Sequence, residues 1–184
     1  MPIVSRIGLE VLISILIMYI SGQTPIELPG IKLPLTLQSM FAILLPLVLN
    51  RRNAAGGILL YLVLAALGLP LLATGVGGYQ YFLSNSGGYL VGFYLITLST
   101  AVVKPWIKKP RMVIVLGIFF LQHIFLTLCG LTWIAIASEG SISFDTHVSP
   151  FLPGIAVKSF IGALLYEGVM IVLKQFGLVE KDVA

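Results

Sequence analysis

Residues 112–137 read MVIVLGIFFLQHIFLTLCGLTWIAIA, and no acidic or basic side chain other than His123 interrupts them. About 20 apolar residues carry a helix across the hydrocarbon of a bilayer. The run is continuously apolar rather than alternating. That selects a helix over a barrel strand, because a helix satisfies its own backbone groups in lipid. Runs of the same kind at 5–22, 35–49, 54–70, 86–103 and 151–175 bring the expected number of spans to six. The second and third are short, with little more than Arg51, Arg52 and Asn53 between them, and predict a helical hairpin. No internal repeat is visible, so an inverted-repeat carrier gains no support.

Composition agrees. Of 184 residues, 58% are hydrophobic and 10% charged, with mean hydropathy +1.06. Soluble domains carry about 25% charged residues, so this is an all-α integral membrane protein, read as a single domain over 1–184. The N-terminal run follows Arg6 as a signal peptide would, but Glu10 interrupts it and no small-residue cleavage site follows, which predicts a retained first helix. The formal net charge of +4 does not point to nucleic acid, because the basic residues sit in short clusters between apolar runs. One cysteine, Cys129, excludes an intrachain disulfide and a cysteine metal cage.

Lysine and arginine fix the orientation. Arg6, Arg51, Arg52, Lys104, Lys108, Lys109, Arg111, Lys174 and Lys181 all fall on one side of the six-span scheme. The three other loops hold only Lys32, and Lys158 lies within the last span. Both termini are therefore expected in the cytoplasm of a cell whose cytoplasmic membrane holds the chain. The loops at 23–34, 71–86 and 138–150 share the outer face.

The loop at 23–34 holds Pro25, Pro29 and Pro34, which disfavour helix. Pro46 is expected to kink the second helix, and Pro70 to end the third. Between the third and fourth spans, residues 73–93 read ATGVGGYQYFLSNSGGYLVGF. Glycines let backbone approach a ligand, aromatic rings offer flat faces, and hydroxyls and amides supply oriented hydrogen bonds. This is the composition of a small-molecule recognition loop. Gly88 and Gly92 form a G-x-x-x-G that favours close helix contact. His123, Thr127 and Gly130 share one helix face.

Lys158 carries the most chemical information. Pro153 suits the first helical turn, and Lys158 lies five residues on, about 8 Å deeper at 1.5 Å per residue. A lysine within a span costs about 2.5–3.5 kcal/mol on insertion scales. It either snorkels to the headgroups or holds an anion, and an ammonium in a concave outer pocket pairs well with a carboxylate. Gly154 and Gly162 on the same face are expected to leave a hollow beside it. Glu167 lies on nearly the opposite face, and Glu10 either reaches the interface or meets a partner subunit. His123 reads as a hydrogen-bonded packing residue or a proton relay. Trp133 reads as an interfacial anchor or a pocket wall.

No H-E-x-x-H, P-loop or metal-ligating cluster is present, so no cofactor is expected and ATP would have to be hydrolysed by another chain. An intramembrane serine hydrolase built on Ser86 and His123 is a rival reading. It lacks an orienting third group, and its two members lie at different depths. A self-contained carrier for another small carboxylate is a second rival.

From about Leu33 to Leu165 the chain resembles the BioY family, the biotin-specific S components of energy-coupling factor (ECF) transporters. The residues that carry the likeness are Leu33-Pro34-Leu35-Thr36-Leu37-Gln38, Ala66-Leu67-Gly68-Leu69-Pro70 and Gly77-Gly78. Ser86-Gly87-Gly88-Tyr89-Leu90-Val91-Gly92-Phe93 and Pro153-Gly154 with Lys158 complete it. The resemblance implies biotin held under the outer loops, with Lys158 near its carboxylate and the Gly78–Tyr89 loop as cover. It also implies a transmembrane coupling subunit and two ATPase subunits as partners, and it leaves a homo-oligomer open. The family's Gly-Pro-Thr is replaced by Ser84-Asn85-Ser86, and the acid of its Pro-Gly-Asp by Ile155, which cannot accept from a ureido N–H. The first helix also lacks the family's Ala-x-x-x-Ala docking pattern. The site expectation is therefore Lys158 for the carboxylate, Asn85, Ser86, Tyr89 and Gln38 at the ring end, with Asn85 replacing the acid. Gly78, Tyr79 and Trp133 are expected as walls.

Overall fold

The computed structural model describes residues 3–23, 25, 36–107, 110–137 and 148–178. The expectations for Lys32, Pro29, Pro34, Lys108, Lys109, Lys181 and the Leu33-Pro34-Leu35 part of the motif lie outside the described residues, as does most of the 138–150 loop. The described residues form helices α1 (Ile3–Gln23), α2 (Gln38–Val48), α3 (Arg51–Ala66), a one-turn α4 (Gln80–Leu83), α5 (Gly87–Val103), α6 (Met112–Ala137) and α7 (Leu152–Gln175). Among the described residues four stretches are long and apolar enough to cross a membrane: Ser5–Gln23, Gly87–Trp106, Met112–Ala137 and Ser149–Gln175.

A shorter apolar helix, α2, sits in the middle. α2 touches α1, α3, α5, α6 and α7, and Gln38, Ser39, Met40 and the run from Ala42 to Leu47 are all buried. With its whole circumference covered by protein, α2 answers to packing rather than to bilayer thickness. A helix apolar all round belongs in such a place. Pro46 lies inside it and cannot donate to the Ala42 carbonyl. The Thr97 hydroxyl of α5 stands 2.9 Å from that oxygen and 2.8 Å from the Phe93 carbonyl, so its one hydrogen is shared between the two.

The α2–α3 hairpin closes as expected. Asn50 caps α3, its side chain accepting from Arg52 N–H at 3.0 Å. Glu10 of α1 reaches the same turn, accepting from Asn50 N–H at 3.1 Å, Asn53 Nδ2 at 2.9 Å and Arg6 Nε at 3.1 Å. Neither expectation for Glu10 survives. At 6% exposure it is buried within the chain and ties α1 to the hairpin. Lys104 donates to the Leu49 carbonyl at 2.7 Å, joining the end of α5 to the same knot.

α3 ends earlier than the proline implied. Gly68 at φ +106° follows the last turn. Its N–H donates to Ala65 O at 3.1 Å, and Leu69 N–H donates to Leu64 O at 3.1 Å. That is a Schellman stop, in which the left-handed glycine does the terminating and Pro70 only follows. The chain then turns back on itself, with Gly78 N–H donating to Ala65 O at 2.7 Å.

The Gly88–Gly92 face packs α5 onto α6. A Cβ at Gly88 would fall against Trp133 and the Cys129 carbonyl, and one at Gly92 against Leu126 and Cys129. On α7 the expected hollow beside Lys158 is filled at Gly162, where the Phe119 ring of α6 occupies the space.

Candidate functional site

A cavity of about 480 Å³ lies at the end of the bundle opposite the Glu10 knot. Small-molecule sites occupy roughly 300–1,000 Å³, so its size suits a vitamin-sized ligand. Leu72, Ala73, Thr74, Val76 and Tyr81 of the α3–α5 connection form one wall. Tyr89, Leu90 and Phe93 of α5 and Leu126 of α6 form another, and Pro150, Phe151 and Ile155 close the side at the start of α7. The α3–α5 wall is pinned from below. Gln23 Nε2 donates to Leu72 O at 2.8 Å, and Tyr61 OH donates to Leu71 O at 2.9 Å.

Lys158 faces inward. Its Nζ donates to Ser39 Oγ of α2 at 3.0 Å, and the residue lines the cavity rather than snorkelling to the headgroups. Among the described residues that line the cavity there is no aspartate or glutamate. The described residues contain one ion pair, Arg6–Glu10, at the other end. Lys158 therefore brings a positive charge to a largely apolar space, where its partner among the described residues is the Ser39 hydroxyl.

The chain of hydrogen bonds continues into α6. Ser39 Oγ lies 3.3 Å from His123 Nε2, and His123 Nδ1 lies 2.8 Å from the Phe119 carbonyl. A carbonyl only accepts, so Nδ1 carries the hydrogen, and in the neutral ring Nε2 is the acceptor. Ser39 then donates to His123 and accepts from Lys158. Ser159 Oγ sits 3.2 Å from Nδ1 as a further neighbour. His123 is 1% exposed, with both ring nitrogens already engaged by groups other than Ser86.

The other expected residues divide. Ser86, Tyr89 and Gln38 line the cavity with Lys158. Tyr89 stacks on Phe151 with centroids 5.8 Å apart, and its hydroxyl is buried with no hydrogen-bond partner. The residue lines the cavity through its ring, while the hydroxyl-bearing end of that ring lies against Gly130 of α6. Gln38 is more committed, since its Nε2 donates to Tyr61 OH at 2.7 Å and Met18 O at 3.1 Å. Asn85, Gly78, Tyr79 and Trp133 are not part of the cavity lining. Asn85 is exposed, Tyr79 is 69% exposed, and Trp133 Nε1 donates to Ser84 O at 2.8 Å, holding the loop shut from behind. Sequence reading missed Ser39, Phe93, Phe151 and Thr127 as lining. Ser39 carried a faint signal as a second polar residue beside Gln38 in an apolar helix.

Comparison with known proteins gives a consistent set. A family model described as the BioY family matches residues 4–175. The chain is 30% identical over 171 residues to the biotin transporter BioY of Rhizobium etli, covering 89% of this chain and 91% of that one. It is 28% identical over 150 residues to a probable biotin transporter BioY of Bacillus subtilis, covering 77% of each. Among solved structures it is similar to the S-component for biotin from an ECF-type ABC transporter, with TM-score 0.74 and 24% identity over 91% of both chains. That last likeness speaks to the fold.

Proposed function

Because this chain belongs to the BioY family, we propose that it takes up biotin as the substrate-binding S component of an ECF-type transporter. It is a multi-pass membrane transport protein and not an enzyme. The observation that carries the ligand reading is Lys158, an ammonium turned into a cavity whose described lining offers it no carboxylate. An acidic vitamin supplies the missing charge, and the apolar walls take its carbon skeleton. In this reading Lys158 holds the carboxylate, and Ser86 and Thr127, with the Tyr89 ring, face the ring end. Gln38 braces the cavity wall from behind rather than reaching the ligand.

The finer topology is six crossings, with α2 as a short enclosed one and α3 as its hairpin mate. The Arg6, Arg51, Arg52 and Lys104 end faces the cytoplasm of a bacterial inner membrane, with both termini on that side. The cavity then opens outward, where biotin is captured. Energy comes from a transmembrane coupling subunit and two ATPase subunits, since the described residues hold no nucleotide motif of their own.

Purified protein in detergent is expected to bind labelled biotin saturably, and Lys158→Ala to weaken it by about 2–5 kcal/mol, the cost of removing one partner from a desolvated charge pair. Uptake into liposomes separates the modes of energy supply. Accumulation only with the coupling and ATPase subunits supports the S-component reading, whereas biotin flux through this chain alone makes it a carrier in its own right.

A further inference from the structure

We propose that Ser39 and His123 are positioning residues for Lys158, so that carboxylate selection belongs to a three-residue chain and not to the lysine alone. The inference rests on the reading of the cavity as a biotin site. A lysine ammonium is a point charge on a flexible four-carbon stem with three donors, and by itself it has no preferred direction. Here one donor is fixed on Ser39 Oγ at 3.0 Å. Ser39 accepts in that sense because its own hydrogen goes to His123 Nε2 at 3.3 Å. His123 is held as the acceptor at Nε2 because its Nδ1–H is claimed by the Phe119 carbonyl at 2.8 Å.

The direction of every bond in the chain is thus set by a backbone carbonyl of α6, which cannot act as a donor. With one N–H anchored, the two that remain are aimed at the cavity, where a carboxylate presents two oxygens. The chain also joins three helices, α7, α2 and α6, with α2 far in sequence from the other two. A neutral imidazole suits this place for a second reason. A protonated ring would set a second positive charge one hydroxyl away from the ammonium and turn Nε2 into a donor, reversing the polarity of the chain.

The same contacts also glue three helices together, so loss of binding in a variant would not by itself separate positioning from packing. Biotin amide, which keeps the rings and the side chain but replaces the carboxylate with a neutral group, separates them. The quantity to measure is the preference of detergent-solubilised protein for biotin over biotin amide, by competition against labelled biotin. Ser39→Ala is expected to lower that preference about tenfold while the amide's own affinity changes less than about twofold. His123→Phe, which keeps a ring in the gap, is expected to do the same. His123→Gln, whose side-chain carbonyl accepts from Ser39 as Nε2 did, is expected to restore most of the preference.

Equal weakening of both ligands in Ser39→Ala and His123→Phe overturns the proposal and leaves the chain as packing alone, as does an unchanged preference in both. If His123→Phe does not give a cooperatively melting protein, the smaller Ser39→Ala change decides. Failure of the wild-type protein to bind biotin sinks the biotin reading instead. A preference lost in Lys158→Ala but kept in Ser39→Ala sinks only this inference.

Discussion

Each end of the bundle holds an ionisable side chain among its helices, Glu10 buried and Lys158 half-buried, and the two are treated in opposite ways. At one end Glu10 has a full set of partners: a guanidinium, a backbone N–H and a side-chain amide, drawn from α1 and the α2–α3 turn. At the other, Lys158 has one hydroxyl and a cavity. A buried charge costs free energy unless it is paired and hydrogen-bonded. The first group meets that requirement within the chain and so serves the fold. The second leaves it unmet among the described residues, and an incomplete site of that kind is what a ligand completes. The partner set is what tells them apart.

The largest expected effect breaks the comparison at the open end. Lys158→Met replaces an unpaired ammonium with an apolar chain of similar reach, so ligand-free protein is expected to melt no lower than wild type. Its stabilisation by excess biotin, which scales as RT ln(1 + [L]/Kd), is expected to vanish. A large fall in the ligand-free melting temperature would mean that Lys158 is paired in the free protein after all. The mirror experiment comes next. Glu10→Ala takes the acceptor from the Asn50 N–H and the Asn53 amide, at a cost of about 1 kcal/mol for each hydrogen bond lost. Its melting temperature should drop while biotin affinity per folded molecule stays put.

Two smaller tests sharpen the boundary between fold and site. Gly130 lies under the Tyr89 ring, and a methyl group there would collide with it. Overpacking of this sort costs typically 1–3 kcal/mol, and the displaced ring is itself part of the cavity lining. Gly130→Ala is therefore expected to lower biotin affinity and stability together, a signature shared by neither Lys158→Met nor Glu10→Ala. Thr97→Val takes away the hydroxyl that serves the Ala42 carbonyl opposite Pro46. It should cost about 1 kcal/mol in stability, read by denaturant or thermal melting, and leave binding unchanged.

What could be read from the sequence follows the range of the interactions involved. The long apolar runs are local properties, and α1, α5, α6 and α7 match the spans expected at 5–22, 86–103, 112–137 and 151–175 closely. The hairpin was legible because Arg51, Arg52 and Asn53 leave no room for anything else. Lys158 stood out because a lysine within a span needs a reason. Three of the misreadings were questions of which distant residue meets which. Gly162 was expected to leave a hollow, but the side chain that fills it, Phe119, sits on another helix. Ser39 is one hydroxyl in an apolar helix until α7 brings Lys158 to it. Glu10 offered two external fates in sequence, and the turn that captures it lies 40 residues on. Pro70 outranked Gly68 as a helix stop because a proline is conspicuous, while the deciding φ of +106° is invisible in sequence. Asn85 has the right chemistry for a ureido partner yet lies outside the cavity lining, since composition cannot say which face of a loop turns inward.

The central claim is that the cavity is built around a positive charge that a carboxylate ligand completes. Calorimetric titration of biotin into the solubilised wild-type protein and into Lys158→Met tests it most directly. The account predicts saturable one-site binding in the wild type and a loss of at least about thirtyfold in the variant, the lower edge of what removing a desolvated charge partner costs. Equal affinity in the two proteins, or no saturable heat from the wild type, would contradict it.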